Sequence, residues 1–294
     1  MRWVAAVVVL ALFTAGCSLG ASSATAGRLQ VVAAESFWGS IASQLGGGRV
    51  TVKSIITNPQ TDPHDYEPTA ADARSVASAR YVIVNGAGYD PWAAKLVAAN
   101  PSSGRLTRNV GDLVGVRSGG NPHRWYSPAD VQRVIDQITA DYTRLAPGDT
   151  SFFDQRKAAF TTSALARYHA LIADIRARDS GVPVGASESI FTPLADALGL
   201  KLLTPESFLD AISEGGEPTA ADKATIDNQI RTHAIRVYVF NSQNSTPDVQ
   251  AQVNLAKAQG IPVVPITETL TPRSARFQDW QVDELGRLQA ALSA

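Results

Sequence analysis

The sequence predicts an α/β fold of two similar lobes with mainly parallel sheets, joined by one long rigid helix. Three observations predict it. Short runs rich in β-branched residues alternate with segments of helical periodicity from Arg28 onward. Residues 149–178 contain neither glycine nor proline, and as one continuous helix they would span roughly 45 Å. The hexapeptide Glu67-Pro68-Thr69-Ala70-Ala71-Asp72 recurs unchanged as Glu217-Pro218-Thr219-Ala220-Ala221-Asp222, once on each side of that stretch. A threonine N-cap with an acidic residue three positions on is generic helix-start chemistry. Each copy also feeds a helix and then a strand that runs into an asparagine, Asn85 and Asn241. The predicted organisation is a lobe at 28–147, a linking helix at 148–179 and a second lobe at 180–294.

The elements follow in order. Residues 29–33 and 50–56 read as strands, and 36–45 as a helix stopped by Gly46-Gly47-Gly48. Thr69 opens a helix and residues 81–84 form a buried strand. Ser127 followed by Pro128 is an N-cap with proline at the first helical position. Val131, Val134, Ile135, Ile138, Tyr142 and Leu145 then share one apolar face. Beyond the link, 182–186, 201–203, 237–240 and 261–266 read as strands. Residues 248–259 form a helix, and a terminal helix carries Trp280, Leu285, Leu288 and Leu292.

With 294 residues, 45% apolar and 18% charged, the chain has the composition of a globular protein with a sizeable core. A net charge of −1, without a basic run, removes nucleic acid as a partner. Arg2 precedes an apolar stretch at 3–13, too short for the roughly 20 residues of a membrane span. Residues 1–16 therefore read as a cleaved signal peptide. Ala15-Gly16 stand directly before Cys17, the only cysteine, and this resembles a bacterial lipobox, although Phe13 and Thr14 replace its usual leucine. The resemblance makes Cys17 the diacylated first residue of the mature chain, at the extracytoplasmic face of the plasma membrane. Acylation also removes a lone thiol that an exported chain would otherwise carry. Residues 17–27 are small and polar, suited to a tether.

Two of the four histidines sit among prolines. His64 lies in Asp62-Pro63-His64-Asp65-Tyr66-Glu67-Pro68, and His123 in Asn121-Pro122-His123-Arg124-Trp125-Tyr126-Ser127-Pro128. Proline stiffens the backbone on each side, so each imidazole is either a rigidly held metal ligand or a solvated turn residue. Glu188 and Glu268 follow apolar strands, at the strand ends where open α/β sheets bind ligands. Each is also readable as a helix-start neighbour or a surface charge. His169, beside the apolar stripe of the linking helix, and His233, near a helix end, read as structural. Glu35, Asp62, Asp65 and Glu67 are candidates to orient an imidazole.

The ordered set Asp-Pro-His, Asn-Pro-His-Arg-Trp, Ser187-Glu188 after a central strand and Thr267-Glu268-Thr269 resembles the manganese/zinc-binding receptors of bacterial ABC importers, the cluster A-I or cluster 9 family. The resemblance covers essentially the whole mature chain. It implies one divalent ion held between the lobes by His64, His123, Glu188 and Glu268, and delivery to a membrane permease with its ATPase. It also implies a lipid-anchored monomer. Glu268 departs from the aspartate common at that position. Val116 to Gly120 is short and lacks histidine, unlike the His-rich loop of many zinc members. Two imidazoles with two carboxylates form a harder set than three imidazoles, which puts Mn²⁺ ahead of Zn²⁺, with Fe²⁺ third. The competing class is a metal-dependent hydrolase or oxygenase using the same cluster. Against it, no His-Glu-x-x-His helix is present, and four protein ligands leave no open position for a substrate.

Overall fold

The structure is a computed structural model that describes residues 27–61, 63, 64 and 66–294. The signal segment, Cys17, the tether up to Ala26, and Asp62 and Asp65 lie outside the described residues.

The first lobe runs β1 (Leu29–Glu35), α1 (Ser36–Gly46), β2 (Val50–Ile56), α2 (Ala70–Ser78), β3 (Tyr81–Val84), α3 (Pro91–Ala99), β4 (Leu106–Asn109), the short α4 (Val110–Val114) and α5 (Pro128–Leu145). The link is α6 (Thr150–Ala159), a π-helical turn (Phe160–Ala164) and α7 (Ala166–Asp179). After it come β5 (Pro183–Ala186), α8 (Thr192–Leu198), β6 (Lys201–Leu202), α9 (Glu206–Ser213), α10 (Ala220–Arg231), β7 (Tyr238–Asn241), α11 (Pro247–Ala258), β8 (Val263–Ile266) and α12 (Phe277–Leu292).

Each lobe holds one four-stranded sheet, ordered β2-β1-β3-β4 and β6-β5-β7-β8. Every pairing is parallel. The same order in both halves gives the repeated hexapeptide its structural counterpart. Thr69 and Thr219 are both extended N-caps, and their side chains accept from the backbone N–H of Asp72 and Asp222. Parallel strands need covering on both faces, and the central strand β3 is accordingly a continuous apolar run. In β3 all four residues are buried.

The linking helix corrects the sequence expectation in one respect. Absence of glycine and proline predicts an uninterrupted α-helix, yet the N–H of Leu165 bonds to the carbonyl of Phe160, five residues back. Thr161 and Thr162 direct their hydroxyls to the carbonyls of Lys157 and Ala158. Such back-bonding does not account for the turn by itself, since Thr139 makes the same bond inside the uninterrupted α5. The link therefore has two α-helical parts with the π turn between them. The first packs against α1 and α5, the second against α8 and α12. Helix α12 also returns to the first lobe, where Phe277 N–H donates to Ser40 Oγ at 3.0 Å.

Candidate metal centre

All four candidate ligands follow the carboxyl ends of parallel strands. His64 lies beyond β2, His123 beyond β4 and α4, Glu188 two residues past β5, and Glu268 two past β8. The two sheets turn these ends toward each other across a cleft of about 900 Å³. His64 and Glu268 reach the cleft wall. His123 and Glu188 lie deeper, each 1% exposed.

The His123 loop is fixed from several sides. Its backbone N–H donates to Asn121 Oδ1 at 3.0 Å, and its ring Nδ1 stands 2.9 Å from the same oxygen. Asn121 turns its Nδ2 to the Ser189 carbonyl in the opposite lobe, 2.6 Å away. That bond settles which end of the amide is oxygen. His123 Nδ1 therefore carries the proton, and Nε2 keeps a lone pair for an ion. Behind the ring, Trp125 lies edge-on at 5.2 Å and stacks on Phe37 at 4.1 Å. Burial, then the nearby His64 and Arg124, push the His123 imidazole down to about 3. It is neutral at physiological pH, the form that binds metals.

Tyr89 joins the two sides. Its ring meets His64 at 4.9 Å and His123 at 6.0 Å, and its hydroxyl donates to Glu268 Oε2 at 2.9 Å. Burial and then the Glu268 charge hold this phenol well above its ordinary range, so it remains a donor. Tyr89 ends the turn Gly86-Ala87-Gly88, where Gly86 adopts φ +70°. A Cβ there would fall 2.0 Å from Asn109 Oδ1, so the turn admits only glycine.

The two glutamates meet at Asn241. Its Nδ2 lies 2.8 Å from Glu188 Oε1 and 2.6 Å from Glu268 Oε1. Asn244 Nδ2 donates to Glu188 Oε2 at 2.8 Å. Gln243 Oε1 accepts the backbone N–H groups of Glu268 and Thr269. Among the described residues no three His, Cys, Asp or Glu side chains form a ready-made cage for an ion. Tyr89 and Asn241 are the shared neighbours that tie the candidates together.

The remaining sequence candidates separate clearly. Glu35 is fully buried beside Asp90, and burial followed by the Asp90 charge keeps its carboxyl well above the usual carboxylate range. Glu67, His169 and His233 are exposed. Sequence reasoning missed Tyr89, Gln243 and Asn244. A glycine-flanked aromatic after a buried strand is the signal that marks Tyr89.

Known proteins resemble this chain in sequence or in fold. The metal ABC transporter substrate-binding lipoprotein FimA of Streptococcus parasanguinis is 25% identical over 87% of this chain and 86% of its own length. The manganese ABC transporter substrate-binding lipoprotein PsaA of Streptococcus pneumoniae is 25% identical over the same shares. A Mn-bound periplasmic metal-binding protein from Candidatus Liberibacter asiaticus has the same fold, with a TM-score of 0.75 at 21% identity over 90% of this chain and 100% of that one. Residues 31–291 match the family described as ZnuA, zinc-uptake complex component A, periplasmic, and the chain belongs to that family.

Proposed function

We propose that this protein captures one divalent transition-metal ion in the interlobe cleft, through His64, His123, Glu188 and Glu268. It then delivers the ion to the permease of an ABC importer driven by its ATPase. One observation supports the reading above others: a single amide draws two buried carboxylates together, across the cleft from two imidazoles that share Tyr89. Two carboxylates held together out of water favour a cation between them. Four protein ligands close the shell, which suits transport rather than catalysis. The protein is a transport component and not an enzyme. Elemental analysis after native purification is expected to find one divalent ion per chain. Metal-free protein that takes up none on titration would sink the reading.

The anchor is part of the same proposal. Cys17, outside the described residues, is the acylated N-terminus of the mature chain and tethers a monomer at the extracytoplasmic face. The named lipoprotein relatives support it. Cys17→Ser is expected to release the protein from membranes or leave it unprocessed, as fractionation and immunoblotting will read. An unmodified Cys17 in membrane-associated protein, seen by mass spectrometry, refutes it.

The ion is Mn²⁺, with Zn²⁺ second and Fe²⁺ third. Both glutamates have two oxygens to offer, so the coordination number can exceed the four of closed zinc sites. Manganese appears in the names of several relatives. The Irving–Williams order predicts that Zn²⁺ binds at least as tightly in vitro, so affinity ranking does not identify the cargo. A deletion strain is expected to stop growing under manganese limitation and to recover with added Mn²⁺. Recovery with Zn²⁺ alone reverses the assignment.

A further inference from the structure

The two strand-end asparagines of the repeat occupy equivalent places, Asn85 directly after β3 and Asn241 closing β7. Both are fully buried. Their orientations are fixed by unambiguous donors: Trp38 Nε1 donates to Asn85 Oδ1 at 3.0 Å, and Gln243 N–H to Asn241 Oδ1 at 2.9 Å. Each Nδ2 therefore faces the cleft end of its own lobe. Asn85 Nδ2 donates to the carbonyl of Pro122, the residue before His123, at 3.0 Å. Asn241 Nδ2 directs its two hydrogens to Glu188 and Glu268.

We propose that Asn241 is a positioning residue for the ion, holding both glutamates near each other before the ion arrives, and that Asn85 does the same for the His123 loop in the other lobe. This rests on the four-ligand reading above. A glutamate side chain has three rotatable bonds, and ligation freezes them. Side chains already held by the fold lose less freedom on binding, so affinity rises without a new contact to the ion. The amide also offsets the repulsion between two carboxylates that share its nitrogen. A purely local role, closing the turn to Gln243, needs only Oδ1 and leaves the direction of Nδ2 without a use.

The test measures Mn²⁺ affinity by calorimetry and the visible spectrum of the Co²⁺ form, whose band position and intensity report coordination geometry. Asn241→Ala and Asn241→Ser are compared with the unaltered protein, Asn244→Ala and His123→Ala. A serine hydroxyl can still close the turn to Gln243 N–H but does not reach both carboxylates. Both Asn241 variants are expected to bind Mn²⁺ roughly 10–100-fold more weakly, the range for groups that orient ligands, with an altered Co²⁺ spectrum. Asn244→Ala, which removes a donor from Glu188 alone, is expected to lose less. Binding within about twofold of the unaltered protein and an unchanged spectrum, while His123→Ala has lost binding, overturns the proposal alone. A loss that merely follows thermal stability, with the spectrum unchanged, also overturns it. Full binding by His123→Ala overturns this proposal together with the four-ligand reading.

Discussion

His123→Ala is expected to weaken binding of the ion by more than the roughly 10–100-fold lost when an outer partner of a ligand is removed. In the proposed site the ring offers its Nε2 lone pair from a buried, fixed position. It is 1% exposed, backed by Trp125, and its other nitrogen is committed to Asn121. The chain carries few substitutes: with four histidines in all, only His64 stands near His123. A weakening above about 100-fold corresponds to more than about 2.7 kcal/mol of binding free energy. His169→Ala is the matched control, since His169 is exposed on α7 and is not among the residues that line the cleft. It should titrate like the unaltered protein. Isotherms for His123→Ala that overlay those of the control remove the imidazole, and the site with it, from consideration.

Much of the fold is legible in the amino-acid sequence. The strands expected at 50–56 and 81–84 have the bounds that β2 and β3 show, because β-branched runs bounded by turn residues leave little choice. The repeated hexapeptide implies two related lobes, and the two sheets have identical strand orders. Strand β4 is illegible: within Leu106–Asn109 only one residue is apolar, and none is fully buried. The π turn is hidden as well, because no glycine, proline or other helix breaker marks residues 160–164. At the candidate centre, sequence points to residues that can bind a metal, since imidazoles and carboxylates advertise that chemistry. Tyr89 and Asn241 advertise nothing of the kind, and Asn241 stands out in the sequence only as the end of a repeat. Their importance comes from direction, a hydroxyl aimed across the cleft and an amide shared by two carboxylates, and direction belongs to the fold.

Glu284→Gln is expected to remove a pH dependence of stability that the unaltered protein shows between about pH 4.5 and 7. Glu284, on α12, sits where the lobes meet. Its Oε1 accepts from Thr267 N–H at 2.9 Å, Thr267 Oγ1 at 3.0 Å and Trp280 Nε1 at 2.9 Å, and its Oε2 meets the Tyr126 hydroxyl of the first lobe. Burial pushes its carboxyl from 4.5 up to about 7, although the bonds from Tyr126 and Thr267 pull the other way. The network accommodates the proton: Glu284 Oε2–H donates to Tyr126, and the Tyr126 hydroxyl donates to the Thr267 carbonyl at 2.8 Å. The folded chain thus keeps a proton that the unfolded chain releases, and stability falls as pH rises through this window. The fall attributable to Glu284 is about 3 kcal/mol at most. Glutamine places an N–H₂ where the protonated carboxyl has its hydroxyl, so the bonds survive and the titration disappears. Other buried carboxyls slope the same way, Asp90 being raised by burial to about 6, so the informative quantity is the difference between the two proteins. Glu284→Ala, by contrast, strands the Thr267 N–H, costing about 1–3 kcal/mol at any pH, and opens a cavity between the lobes. Urea titrations from about pH 5 to 8 measure all three proteins. Parallel curves for the unaltered protein and Glu284→Gln would mean that Glu284 is ionised throughout and that its proton has no part in holding the lobes together.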